Sequence, residues 1–443
     1  MTGPLSPGFV STKQAWIAKL AKQMPGTAIR SLSHNMDLGW MREAYRRTRK
    51  DGAVGVDGQT AKAYAEHLDD NLRSLLERAK SGSYRAPPVR RVHIPKGDGG
   101  SETRPIGVPT FEDKVLQRAV AMLLEPIYEE DFYDFSYGFR RGRSAHDALD
   151  ALDKGIWSMG GGRVIDMDVQ RFFDTMDHGE LQVLLRKRVV DGVVTRLIGK
   201  WLHAGVLEEG RFHRPSAGSP QGGVISPLLA NVYLHHVLDQ WWSETVLPRM
   251  RGRAFLIRYA DDAVLVFSDK RDAERVHSVL PKRFARFGLT VHPEKTRLVS
   301  FCRPRRDGGG PRPGSFDFLG FTHYWARSRK GHWVPKRKTA SKRFSRSLRA
   351  VNQEMRRVRH ASIQEQSRVL GQKLRGFYGY YGIRGNSRSL SAFLHEARSR
   401  WKKWLSRRSH KAWVTWEAFD RMVRQYPLPR PRMRKQQLRL ANL

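Results

Sequence analysis

Cysteine is almost missing from this chain: Cys302 is the only one in 443 residues. A disulfide framework and a paired-cysteine zinc site are therefore excluded, and a reducing, intracellular setting fits. Long apolar runs are missing as well. No stretch of about 18 apolar residues exists, which argues against a membrane-spanning helix. Near the start, Ala15-Trp16-Ile17-Ala18-Lys19-Leu20 is broken by lysine and lacks the core of a signal peptide.

Acidic residues are the third shortage. Against 81 Lys and Arg stand 43 Asp and Glu, a formal net charge of +38. A compact chain that basic repels itself unless phosphates are nearby, so a polyanionic partner is expected. The excess is uneven: residues 301–443 hold 36 Lys and Arg against 7 Asp and Glu, a net +29, while residues 1–300 carry +9. The late basic residues are interleaved with aromatics and irregular loops, which speaks against an amphipathic membrane-surface helix. The length predicts two or three domains, and a hydrophobic fraction of 40% suffices for globular cores.

What stands out against this background is a pair of adjacent carboxylates, Asp261-Asp262, inside the apolar run from Ala254 to Phe267. The flanks read as two strands with the acids at the turn. A second apolar run, Val164-Ile165-Asp166-Met167-Asp168-Val169, also carries acids. Neighbouring buried charges are costly unless a cation neutralises them. Three carboxylates converging from two strand ends would hold a pair of Mg²⁺ ions, an apparatus suited to joining nucleotides. The alternative is that Asp261 and Asp262 merely cap a hairpin.

Elsewhere the punctuation predicts a turn at Gly55-Val56-Asp57-Gly58 leading into a helix through Lys80, and a hairpin from Val89-Lys96 and Thr103-Val108 around Gly97-Asp98-Gly99-Gly100. Helices are expected over 111–128, 178–189 and 270–287, and from Ser226-Pro227 onward. Residues 303–315 are expected to form a loop, and 341–376 and 387–424 to form basic helices. His235, His236 and Asp239 share one helix, but packing explains them without a metal. Cys302 is expected to be a buried small residue, and the tryptophans of 387–424 to fill helix–helix cores.

Several of these segments together resemble one family. Tyr259-Ala260-Asp261-Asp262 resembles the YxDD box of reverse transcriptases, and Ser219-Pro220-Gln221-Gly222-Gly223 onward to Asn231 is similar to their PQGG segment. Val164 to Asp174 looks like their first acidic strand, and Arg104-Pro105-Ile106-Gly107-Val108-Pro109-Thr110 with Ser136-Tyr137-Gly138-Phe139-Arg140 completes the order. Gly55-Val56-Asp57-Gly58 and Leu374-Arg375-Gly376-Phe377-Tyr378-Gly379-Tyr380-Tyr381-Gly382 resemble, more narrowly, bacterial group II intron-encoded reverse transcriptase/maturase proteins.

The resemblance implies an α+β fold, a right-hand polymerase of fingers, palm and thumb with an antiparallel palm sheet and a helical basic C-terminal region. It implies an N-terminal extension and start of fingers over 1–86, fingers and palm over 87–322, thumb and maturase region over 323–385, and a basic maturase and DNA-contacting tail over 386–443. It assigns Asp168, Asp261 and Asp262 to two Mg²⁺ ions, with the Val169 carbonyl as an added ligand. Lys96 and Arg104 would meet the incoming triphosphate, Gln221 the nucleotide sugar, and Lys295 would lie near the active site. Phe173 would be the aromatic gate that leaves no room for a ribose 2′-hydroxyl. Asp166 shares a strand face with Asp168 and stays an alternative, as does a polar strand end.

The implied partners are a group II intron RNA or other structured RNA template, a DNA target or primer, and deoxynucleoside triphosphates, with no membrane. The implied location is the bacterial cytoplasm. Family members often end in a nuclease module with paired cysteines and histidines; none is seen in this sequence, so if the protein mobilises an intron it is expected to prime from an existing DNA end, such as a replication-fork strand. Two other readings remain open: a domesticated relative serving phage defence, CRISPR adaptation or DNA repair, and an RNA-binding splicing factor with a vestigial polymerase site.

Overall fold

The computed structural model describes residues 7–95, 103–208, 211–213, 218, 222–305, 312–409 and 412–433. The chain divides into two compact units, Met1–Gly155 with Gly162–Leu298, and Ile156–Gly161 with Val299–Leu443. Helices mix with antiparallel sheets in both, the α+β composition expected of a polymerase fold.

The first unit is organised around the helix Phe111–Asp131. Thr110 caps it, its hydroxyl accepting from the Asp113 N–H at 3.2 Å. Its apolar side chains Val115, Leu116, Val120, Leu123 and Leu124 are shut off from solvent. Helices Pro7–Gln23 and Leu38–Arg47 pack against it, and the Trp40 indole donates to the Ala119 carbonyl at 3.0 Å. The predicted hairpin is present as Val89–Pro95 paired antiparallel with Thr103–Val108, from Arg90↔Val108 to Pro95↔Thr103. The segment expected to run as one helix to Lys80 is two, Ala61–Glu66 and Leu68–Ser81, broken at His67.

The acidic segments meet in one ladder. Ala254–Tyr259 pairs with Asp262–Phe267, which pairs on its other side with Gly161–Met167. Val264, Leu265, Val266 and Phe267 are all buried, so both faces of the central strand are covered. This explains the unbroken apolar run in the sequence: a strand covered on both faces has no polar alternation.

The second unit holds the sheet Phe316–Phe318, Phe321–Arg327, Trp333–Thr339 and the helices Ser341–Arg357, Ile363–Tyr381, Ser387–Leu405 and Trp416–Gln425. Its core gathers Val351, Met355, Leu370, Leu374, Phe393, Trp401 and Phe419. In the tyrosine-rich segment Tyr378 is buried and the Tyr380 hydroxyl donates to the Leu319 carbonyl at 2.8 Å. These rings therefore serve packing.

Two expectations are corrected here. Cys302 ends the strand Arg297–Cys302 and is exposed, because the buried Phe301 beside it takes the inward position. The late tryptophans split: Trp401 is core, but Trp413 is 79% exposed and Trp416 45%. Among the described residues no helix is long and apolar enough to cross a membrane.

Candidate active site

The acidic hairpin reverses through Ala260 and Asp261, since Tyr259 and Asp262 form its last pair. Ala260 has φ +55, and only the first of the two turn residues is left-handed. That pattern favours glycine, so alanine is held there by its surroundings. Gly138 supplies them: a Cβ on it would lie 2.2 Å from the Ala260 nitrogen, so only glycine lets the segment press against the turn.

The turn is also fixed from within. Arg258, fully buried, donates to both carboxylate oxygens of Asp239, to Asn231 Oδ1 at 3.0 Å, to the Ala260 carbonyl at 3.0 Å and to Ser136 Oγ at 2.7 Å. Asn231 Nδ2 donates in turn to the Gly138 carbonyl at 2.7 Å. Three separate sequence segments thus meet at one guanidinium. The sequence offered a signal for it that was not used: an arginine within an apolar strand requires a buried partner. Asp239, suspected of nothing more than packing, is that partner.

Asp168 lies just past Met167, whose partner is Ala263, so the next step of that register brings Asp168 level with Asp262. Its backbone is pinned by the segment 290–296: the His292 N–H donates to the Asp168 carbonyl at 2.8 Å, and Thr296 Oγ1 accepts from the Asp168 N–H at 3.2 Å. Its carboxylate pairs with Lys295 Nζ at 3.2 Å. Asp166 is committed to Arg297 at 3.3 Å.

A cavity of about 1160 Å³ opens over these residues, and Asp168, Asp261, Val169, Phe173, Arg104 and Lys295 all line it. Burial pushes the Asp261 carboxyl above its usual range, and the Asp168 charge pushes it further, while Arg104 pulls it down. Asp262 is exposed and is not among the residues that line the cavity. Among the described residues no three His, Cys, Asp or Glu side chains form a set able to hold a metal ion. What the wall provides is two neighbouring carboxylates of hard oxygen donors, one of them partly desolvated, the donor chemistry that suits Mg²⁺.

Arg171 has φ +47 and turns the chain into the short helix Phe172–Thr175. Both phenylalanines of that helix line the cavity, Phe172 buried in the core and Phe173 half-buried against it. Gly222, at φ +117, lies so close to the Thr103–Val108 strand that a Cβ would sit 2.5 Å from the Gly107 carbonyl oxygen. Buried Gln117 holds the same loop, accepting from the Val224 N–H at 2.8 Å. Lys96 and Gln221 lie outside the described residues. Phe139, left-handed and exposed, is among the cavity residues that the sequence did not mark as site candidates.

A family profile described as "Reverse transcriptase (RNA-dependent DNA polymerase)" matches residues 94–323, just over half the chain. Protein YkfC of Escherichia coli (strain K12) is 33% identical over 353 residues, 70% of this chain and 88% of that protein. Group II intron-encoded protein LtrA of Lactococcus lactis subsp. cremoris is 40% identical over 184 residues, 41% of this chain but only 30% of LtrA. Nuclear intron maturase 2, mitochondrial, of Arabidopsis thaliana is 27% identical over 232 residues, 44% of this chain and 30% of the relative. With the acidic turn, the Asp168 strand and the cavity inside the matched region, the chain belongs to the reverse transcriptases, RNA-directed DNA polymerases, in the group II intron-encoded reverse transcriptase/maturase family.

Proposed function

We propose that the cavity over Asp168 and Asp261 is a polymerase site that copies RNA into DNA by two-metal nucleotidyl transfer. Asp168, Asp261 and the Val169 carbonyl at the cavity, with Asp262 level with Asp168 across the strand pair, would hold two Mg²⁺ ions. Held by those oxygens, the metal would supply charge neutralisation for the attacking 3′-hydroxyl oxygen and for the departing pyrophosphate. Arg104 and Lys96 bind triphosphate oxygens, the first through a planar fork and the second as a point charge. Lys295, paired with Asp168 at 3.2 Å, balances the carboxylate charge and keeps it oriented toward the cavity. Gln221 meets the sugar, and the Phe173 ring closes the space a 2′-hydroxyl would need.

In this reading residues 87–322 are fingers and palm, preceded by an N-terminal extension and the start of the fingers over 1–86. Residues 323–385 form the thumb and maturase region, and 386–443 the basic tail. The net +29 of residues 301–443 supports a grip on intron RNA and on a DNA target. The observation that carries the polymerase reading is the meeting of Asp168 and Asp261 at one cavity wall beside Arg104. Primer extension on an RNA template tests it. Asp261→Asn is expected to abolish extension while RNA affinity stays near that of the parent; equal loss of both would make the carboxylates structural.

A further inference from the structure

Phe139 sits between two fixed points. Before it, Gly138 is pressed onto the Ala260 backbone of the acidic turn. After it, buried Arg140 donates to Glu129 Oε2 at 2.9 Å and to the carbonyls of Tyr133 and Ser136 at 2.7 and 2.9 Å. The backbone between these anchors passes through φ +58, a left-handed conformation that a bulky side chain rarely adopts. The ring is 57% exposed and lines the same cavity as Asp168, Asp261 and Phe173.

The fold alone does not call for this residue. A left-handed position between a buried glycine and a buried arginine is met without strain by glycine, and asparagine also tolerates it. Phenylalanine adds backbone strain and leaves an aromatic face in water. Strain at a site cavity that nothing in the packing requires is the kind that serves a ligand. The ligand must offer a flat apolar face within reach of the acidic turn, in a cavity whose cations, Arg91, Arg104, Arg171 and Lys295, are suited to phosphates.

We propose that Phe139 is a base-stacking residue of the polymerase site, its ring packing against a nucleobase at the growing end of the template–primer duplex. The inference rests on the polymerase reading above. Rigidity from Gly138 and Arg140 fixes the ring relative to the acidic turn, so a base packed on it is held in register with the reacting 3′ end. Stacking is indifferent to base identity, as copying any template requires.

Three variants test this: Phe139→Gly, Phe139→Leu and Phe139→Tyr. Each is measured by thermal unfolding, by equilibrium binding of an RNA template–DNA primer, and by steady-state extension with the next deoxynucleotide. Phe139→Gly should unfold at or above the parent temperature, because glycine relieves the strained φ. It should nevertheless lose roughly 5- to 150-fold in template–primer affinity or in kcat/KM. Phe139→Tyr should retain most of both, and Phe139→Leu should fall near the glycine variant. A template abasic at the copied position then separates the two sources of the base. If the abasic template erases the difference between parent and Phe139→Gly, the ring holds the template base. If the difference persists as a raised KM for the nucleotide, the ring holds the incoming base. A Phe139→Gly protein that folds, binds and extends like the parent overturns the proposal. Absence of extension by the parent itself would instead sink the polymerase reading.

Discussion

Arg258 and Asp239 form an ion pair from which solvent is entirely excluded, with Nε 2.7 Å from Oδ1. Taking two charges out of water costs several kcal/mol per ion, and the remaining donors of Arg258 are spent on Asn231, Ser136 and the Ala260 carbonyl. The pair therefore does more than add stability: it ties the strand entering the acidic turn to two other segments. Asp239→Leu and Arg258→Met are each expected to cost about 3–5 kcal/mol, because each strands a buried charge or donor set. Combining Arg258→Met with Asp239→Leu should recover much of that loss. Urea unfolding of the singles and the double decides it; fully additive losses would mean the two groups are not coupled.

Phe173, the more exposed of the two phenylalanines, lines the cavity beside buried Phe172. Truncation to alanine opens the volume that a ribose 2′-hydroxyl would occupy. Phe173→Ala should raise kcat/KM for ribonucleotides relative to deoxynucleotides by about tenfold or more, a change of about 1.4 kcal/mol or greater in discrimination. Single-nucleotide extension with each sugar checks it, and unchanged discrimination would remove the gate role.

Asp113 accepts from the Tyr84 hydroxyl and from the Trp201 indole at 2.9 Å, and burial pushes its carboxyl up to about 7. Its ordinary value is 3.8, so between these limits the folded protein holds this proton more tightly than the unfolded chain. Stability from this group is then fully present below about pH 4 and is lost as pH rises toward 7. Asp113→Asn should flatten that part of the profile and leave the variant less pH-sensitive. Chemical denaturation across this interval reads the slope directly; an unaltered slope would assign it to another group.

Lys402 Nζ lies 5.3 Å from the Trp413 ring centroid and 5.0 Å from that of Trp416, an exposed arrangement of two aromatic faces around a cation. RNA binding by the protein should fall steeply with salt through release of condensed counterions. Trp413→Ala should weaken single-stranded RNA binding by about 1–3 kcal/mol per base lost while leaving the salt slope unchanged. Lys402→Ala should reduce that slope by about one if it meets a phosphate. Binding titrations over a salt series separate the two, and a flat salt response would remove the case for the basic region.

Strand and helix positions were largely legible along the chain because their signals are local. The capping Thr110, the Ser226-Pro227 start and the unbroken apolar run of 263–267 each act within a few residues. Pairing was legible only where a short turn joins two strands. The split of residues 61–81 at His67 was missed because its local periodicity runs on through the break. Cys302 and Trp413 were misread for another reason: their residue types favour burial on average, while exposure depends on what the rest of the chain covers.

The order of motifs, the family they belong to and the concentration of positive charge after residue 300 were fixed by the linear chain alone, since each is a property of residue identity and spacing. Tertiary structure decided which side chains share a space. It set Asp168 and Asp261 in one cavity wall, left Asp262 exposed, joined Arg258 to Asp239 and placed Phe139 in a left-handed, exposed pose. Those outcomes depend on contacts between residues distant in the chain, and such contacts are not a sum of local preferences.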